Sequence, residues 1–326
     1  MSLLQIWSKW PRAVLSFRNC GFGDNLLAAA NAWSYAKQTG RTLIILWVRS
    51  RYSPDPTVNV FGLFFAVPSE IAGVRVEIYP RGGWLTSVLL AYWHLIFPYP
   101  DLLSILERFG KKTGLIRFLA PVYVPIEGPR GFRFDKRQAK EQDRVYAGKD
   151  KHQRLHILAG CYSPREGLRP FFDSLQAAPE LARRIDAFSE KHFRGKIVIG
   201  LHIRYYDPSL PASNHTEYWI RPEESLKQCL ARVQSAVAEI RPAEYTIFLA
   251  TDSGPVQDYM QKNLDHLVTV EKRFGSPDKQ LHDELAIETA AESVMEMFLL
   301  ARSDVLIRFP ASWFSHYASL YAKRTG

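Results

Sequence analysis

Residues 200–207, Gly-Leu-His-Ile-Arg-Tyr-Tyr-Asp, follow the run Lys-Ile-Val-Ile. Such an apolar run predicts a buried strand, and a buried strand ordinarily stops at a turn residue. This one delivers His202, Arg204, Tyr205, Tyr206 and Asp207 almost together. The planar fork of Arg204, one residue past the strand, can hold two phosphate oxygens at once. His202 lies two residues earlier and so shares its side of the strand. Asp207 is close enough to orient Arg204 or to accept a proton. A plain structural Arg–Asp pair is the competing reading.

Five further clusters have chemical potential. In Asn-Cys-Gly-Phe-Gly-Asp-Asn (19–25), Gly21 and Gly23 allow close approach of backbone to a ligand, and the helix expected to follow offers free N–H groups to an anion. A glycine turn with Asp24 as helix cap explains the same residues. Asp252 and Ser253 end the run Leu-Ala-Thr-Asp-Ser, where a helix cap is the stronger reading. Phe274 stands in a polar loop (272–284) and is available to stack on a base. Glu288 and Glu292 are expected to face solvent, whereas Glu296 is embedded in Val-Met-Glu-Met-Phe-Leu-Leu-Ala. A carboxylate there needs a partner, and the two adjacent N–H donors of guanine would supply one. Ser312, after Ile-Arg-Phe-Pro-Ala, opens a helix at another natural phosphate or ribose site.

The elements that must position these residues alternate between strand and helix. Strands are expected at 13–17, 42–47, 74–78, 196–203, 245–251, 267–271 and 304–309, with helices at 25–38, 180–193, 222–240, 252–263, 283–302 and 313–323. Gly40 sits where a helix-terminating glycine belongs. Alternation in both halves implies two doubly wound, Rossmann-like α/β domains facing across a cleft, residues 1–175 and 176–326. Ligands of such sheets bind beyond the carboxyl ends of the strands, where every cluster above falls.

The chain of 326 residues is 47% hydrophobic and 13% aromatic, so it is globular and long enough for two cores. Its net charge of +9 suits a nucleotide diphosphate, a membrane surface or a nucleic acid. No recognition motif accompanies the basic residues, which concentrate in 127–154, and nucleic-acid binding is set aside. Cys20, Cys161 and Cys229, an odd number without CxxC spacing, suggest a reducing compartment. The opening residues show no secretory signal, so a cytoplasmic location is expected. The apolar stretch 84–97 is too short to span a bilayer and suits a buried helix or peripheral contact with the inner membrane. No GxxxxGK[ST], HExxH or GxSxG occurs, nor a DxD pair of the metal-holding kind, so no metal or other cofactor is expected.

Taken in order, NCGFGDNL, AWSYAKQTGRTLIILW, IGLHIRYYD, IFLATDS, KRF…LH and MFLLARSDVLIRFP resemble the rhizobial NodZ-like fucosyltransferase family and, more distantly, eukaryotic α1,6-fucosyltransferases. The likeness covers residues 13–50 and 195–320. It implies a bacterial enzyme of GT-B architecture that moves fucose from GDP-fucose, with inversion and without a metal, to a glycan hydroxyl, α1,6 on a GlcNAc-type sugar. The N-terminal domain would serve the acceptor and the C-terminal one the GDP-sugar. By the same resemblance Arg204 grips the diphosphate, His202 lies beside the nucleotide, and Gly21, Phe22 and Gly23 match the family's glycine loop. Glu296 stands where the family usually has Asp for guanine, and Ser312 falls in the serine-bearing loop near the diphosphate.

Inverting transfer also needs a base for the acceptor hydroxyl. Asp207 and Glu217 are the candidates, and the resemblance favours Asp207, whose HxRxxD spacing matches the family. His215, Tyr218 and Trp219 could shape the acceptor site, since an aromatic face suits a sugar ring. The acceptor would be an oligosaccharide or a lipid-linked glycan. One departure is Tyr205, where the relatives carry a basic residue; it motivates two alternatives, another GDP-sugar as donor or a catalytically impaired GDP- or glycan-binding protein.

Overall fold

Short apolar runs and helical repeats alternate along the chain, and the computed structural model folds them into two α/β units. It describes residues 13–16, 22–47, 52–53, 55, 58–79, 155–158, 167–204, 222–240, 243–274, 287–308 and 312–322. One unit takes Met1–Leu63 and Val67–Leu175, the other Phe64–Ala66 and Gln176–Gly326. The basic stretch 127–154 and the apolar stretch 84–97 lie outside the described residues.

In the first unit, β1 (Ala13–Ser16), α1 (Phe22–Thr39), β2 (Thr42–Ile45), β4 (Glu70–Ile71), β5 (Val74–Ile78) and β6 (Leu155–Leu158) form a sheet of order β4-β5-β2-β1-β6 with α1 upon it. Val14 pairs in register with Leu43, and Leu43 with Val76, all parallel. Only β4 runs antiparallel, on β5. Gly40 ends α1 at φ +62°, and the Arg41 N–H donates to the Ala36 carbonyl at 2.9 Å, a Schellman closure that only a left-handed residue permits cheaply. At the carboxyl ends of β2 and β5, buried Asn59 donates to the Ile45 and Tyr79 carbonyls at 2.9 and 2.7 Å. The unit also holds α2 (Phe61–Phe64), whose last residue passes to the second unit, and α3 (Arg169–Ser174).

The second unit carries β8 (Ile197–Ile203), α5 (Pro222–Ile240), β9 (Tyr245–Thr251), α6 (Gly254–Asn263), β10 (Leu267–Thr269), α7 (Ile287–Ala301), β11 (Val305–Ile307) and α8 (Trp313–Ala322). Its sheet, order β10-β9-β8-β11, is parallel throughout. Ahead of it come α4 (Pro179–His192) and a two-stranded antiparallel ladder of β3 (Phe65–Ala66) with β7 (Gln176–Ala177).

A parallel sheet covered on both faces demands strands apolar on both sides, which is why Ile-Val-Ile-Gly-Leu-His-Ile reads as a continuous run. Ile199, Leu201 and Ile203 pack with Ile247, Leu249 and Ile307 against Val233, Val237, Val256 and Met260. Each such side chain, fully buried, contributes about 1.5–3 kcal/mol. Their alternates on β8, Gly200 and His202, meet Ser303 and the Phe314 ring instead. A Cβ added to Gly200 would lie 2.2 Å from Ser303 Oγ, so the strand and the turn before β11 touch through a glycine.

Candidate active site

The carboxyl ends of β8 and β9 are neighbours in register, His202 beside Ala250 and Ile203 beside Thr251. The chain leaves them at Arg204 and Asp252, and Arg204 Nε lies 3.8 Å from Asp252 Oδ2, both side chains about one-third exposed. The next residue, Ser253, caps α6: its Oγ accepts from the Val256 N–H at 3.4 Å. The two residues read as a capping pair therefore divide the work. Serine has the shorter reach suited to the cap, and Asp252 is left to face the guanidinium.

His202 is buried, its ring centroid 5.1 Å from that of Phe314 on α8. Burial, reinforced by the positive charges of Arg204 and Lys272, pushes its pKa down to about 3. The imidazole is consequently neutral at neutral pH, with one nitrogen donating and the other accepting. Its Nδ1 is buried with no hydrogen-bond partner among the described residues. So is the Oγ of Ser312, which occupies the position before the first residue of α8.

Behind this pair lies a second, drier one. Lys272, on the segment that follows β10, donates from Nζ to Glu296 Oε1 at 2.6 Å, with side chains 2% and 5% exposed. Burial raises the Glu296 carboxyl to about 7; the charge and hydrogen bond of Lys272 pull it down, while Asp252 and Glu292 push it up. The partner that Glu296 needed is thus a lysine within the chain. Glu292, expected to face solvent, is half-buried, and burial raises its pKa too. Phe274 extends the cluster: its ring lies 5.5 Å from Lys272 Nζ and beside the Cα of Gly254, where a Cβ would sit 3.4 Å from Phe274 Cδ2.

The fold thus gathers His202, Arg204, Asp252, Phe274 and Glu296 from separate stretches of chain at one end of one sheet. With Lys272 beside Glu296, these two cations, two carboxylates, a neutral imidazole and an aromatic ring suit a ligand that is planar at one end and anionic at the other. Phe22 and Gly23 belong to the first unit. The helix begins at Phe22 rather than after Asp24, so both are first-turn residues, and Asp24 falls within the helix range rather than before it. The Phe22 ring is part of the core, edge-on to Trp47 and Tyr52 at 5.7 and 5.5 Å, so only its backbone is available to a ligand. Gly21, Asp207, His215, Glu217, Tyr218 and Trp219 lie outside the described residues.

Two residues escaped the sequence reading. Lys272 was legible only as one charge in a polar loop, and Arg308, at the end of β11, as part of a strand. Arg308 meets His316 Nδ1 at 3.1 Å on α8. An open cleft at the opposite, amino-terminal end of the sheet is lined by charges that satisfy one another: Arg302 holds Asp186 at 2.5 Å and Ser189 at 2.9 Å. Among the described residues no group of His, Cys, Asp and Glu could hold a metal ion, and no helix is long and apolar enough to cross a membrane.

Two α/β units with parallel sheets, and a charged cluster at the carboxyl end of the second sheet, place the chain in the GT-B class of fold. The family model described as Nodulation protein Z (NodZ) matches residues 11–98 and 141–325, and the chain belongs to that family. Nodulation protein Z of Bradyrhizobium diazoefficiens is 32% identical over 96% of this chain and 80% of its own length. That of Sinorhizobium fredii is 31% identical over 97% and 92%. The crystal structure of fucosyltransferase NodZ from Bradyrhizobium superposes with a TM-score of 0.63 at 29% identity, covering 94% of this chain and 91% of that one. A NodZ α-1,6-fucosyltransferase crystal soaked with GDP-fucose gives 0.61 at 29% identity, covering 95% and 92%. POFUT1, at 14% identity and a TM-score of 0.53 over 97% of both chains, shares the fold.

Proposed function

We propose that the chain is an inverting fucosyltransferase that moves fucose from GDP-fucose to a glycan hydroxyl, α1,6 on a GlcNAc-type sugar, without a metal ion. The observation that carries this reading is the position of Arg204. It stands at the mouth of the β8–β9 ends, its charge matched by Asp252 at 3.8 Å. A partly exposed pair of that length is worth about 0–1 kcal/mol. Bidentate contact of the guanidinium with phosphate is a stronger interaction than such a pair.

In the reaction the bond from fucose C1 to the diphosphate oxygen breaks, and its electron pair leaves with GDP. The acceptor oxygen attacks the opposite face of C1 and loses its proton to a base, Asp207 or Glu217. Arg204 stabilises the charge gathering on the departing diphosphate, the largest kind of contribution a site of this type makes. The backbone N–H groups opening α8 at Ser312 and those of the glycine loop at Gly21, Phe22 and Gly23 suit anionic oxygens in the same way. Glu296 reads the guanine edge, Phe274 stacks on the base, and neutral His202 donates or accepts beside the nucleotide. His215, Tyr218 and Trp219 shape the acceptor site for an oligosaccharide or lipid-linked glycan. Action in the cytoplasm, with peripheral membrane contact through 84–97, completes the reading.

Thermal stabilisation by GDP, GDP-fucose, GDP-mannose and UDP, in wild type and Arg204→Ala, tests it. Ligand at a hundredfold its Kd adds about 2.7 kcal/mol to stability. The expected result is a guanine-selective rise in Tm that Arg204→Ala abolishes; no rise with any GDP species would sink the proposal. Tyr205, standing where the resemblance implies a basic residue, motivates a second reading in which the donor sugar differs or turnover is lost. GDP binding without consumption of GDP-fucose would select it.

A further inference from the structure

We propose that Lys272 is a specificity-determining residue that acts through Glu296, fixing and keeping charged the carboxylate that reads the nucleotide base. This rests on the reading of Glu296 as the base-recognising group. The two side chains come from positions 24 residues apart, one on the segment after β10 and one in the middle of α7, and meet at 2.6 Å in an almost dry setting. Their stability value alone does not account for such a pair, since well-packed apolar residues of the same volume often do as well or better. A pair facing a ligand site has a different use.

Lys272 is the hydrogen-bond partner of Glu296 among the described residues, and the bond falls on Oε1. Carboxylate oxygens offer about four lone-pair positions between them. Oε1 can thus keep Lys272 while both oxygens accept adjacent N–H donors from a base. Only the ionised form accepts two, because a protonated carboxyl turns one oxygen into a donor. The aromatic face is set by the same lysine: Phe274 follows two residues later, its ring 5.5 Å from Nζ. Lys272 thereby ties the group that reads the base edge to the ring available to its face.

Several charged groups bear on that proton. Asp252 comes from the end of β9 and Glu292 from α7 itself; both disfavour ionisation of Glu296. Glu288 and Arg184 act on Glu292 in opposite senses, joined by Arg273 and Lys272 on the side of Arg184. From β8, His202 is neutral and Arg204 faces Asp252. Among the described residues acting on Glu296, only Lys272 favours its ionised form, through both charge and hydrogen bond. Desolvation alone would leave the carboxyl protonated at neutral pH.

The test measures binding of GDP, IDP and ADP across a pH series centred on 7, the value to which Glu296 is raised, in wild type, Lys272→Met, Lys272→Arg and Glu296→Gln. IDP lacks the guanine amino group and ADP lacks both adjacent N–H donors. In wild type the preference for GDP is present above the Glu296 titration and declines as pH falls through it. Lys272→Met should move that decline upward by about one pH unit or more and reduce the GDP over IDP preference about tenfold at neutral pH, with recovery in alkali. Lys272→Arg should stay near wild type, and Glu296→Gln should show low preference at every pH. Should Lys272→Met not fold, Lys272→Gln replaces it. A preference lost in Glu296→Gln but unchanged, with an unmoved pH profile, in Lys272→Met or Lys272→Gln overturns the role of Lys272. A preference retained in Glu296→Gln overturns the base-reading role of Glu296 and this inference with it.

Discussion

His202 and Glu296 sit in one charged cluster, yet burial moves their proton equilibria in opposite directions. His202 falls from an ordinary 6.5 to about 3, so between those values the unfolded chain binds the extra proton and stability rises with pH. Glu296 rises from 4.5 to about 7, so over that window the folded chain binds it and stability falls with pH. Where the windows overlap the two slopes oppose each other. His202→Gln isolates one of them. The stability gap between wild type and the variant should widen as pH rises from 4.5 towards 6.5, by up to about 1.4 kcal/mol per pH unit. Urea unfolding of both proteins at the two ends of that window reads the gap, and a constant gap would mean that His202 titrates normally. At this scale the sequence revealed the residues that follow strands, because position after an apolar run marks them. It hid Lys272, since a lysine in a polar loop is ordinarily solvated and only the fold brings it to Glu296.

Strands and helices were legible where hydrophobic period decides them. Val74–Ile78, Pro222–Ile240 and Tyr245–Thr251 have the expected limits, and the parallel order follows from the alternation. Starts set by side-chain anchoring were not. Two glycines around Phe22 suggest a turn, but the fit of its ring against Trp47 and Tyr52 draws the residue into α1. Gly200 has the opposite character, a glycine inside a strand whose purpose is visible only in three dimensions. An added Cβ would meet Ser303 Oγ at 2.2 Å and Ser303 Cβ at 2.9 Å. Rotating the hydroxyl relieves the first clash but not the second, so β8 or the turn must shift. Gly200→Ala should cost about 1–3 kcal/mol and, by displacing the strand that carries His202 and Arg204, weaken GDP binding. Adding Ser303→Gly should recover most of both losses. A double-mutant cycle without coupling would place the cost in the strand backbone itself.

Each of the two units has its own sheet, parallel but for β4 in the first, and the proposed nucleotide contacts named on the second sheet all lie at its carboxyl end. Separate sheets with separate cores are expected to open as separate cooperative units. GDP at about a hundredfold its Kd should then slow exchange of amides that open with the second unit by about a hundredfold, the equivalent of 2.7 kcal/mol. Hydrogen exchange followed by mass spectrometry should show this in peptides covering β8, β9, β10 and α7. The strands of the first sheet, at Ala13–Ser16, Thr42–Ile45 and Val74–Ile78, belong to the unit proposed to meet the ligand only through the backbone at Gly21, Phe22 and Gly23, and should be slowed less. Equal slowing in both sheets would show that the chain unfolds as one cooperative body. Slowing confined to the first would move the nucleotide away from Arg204 altogether. The pattern therefore tests the site and the independence of the units in one experiment, because ligand binding stabilises only what must open for the ligand to be lost.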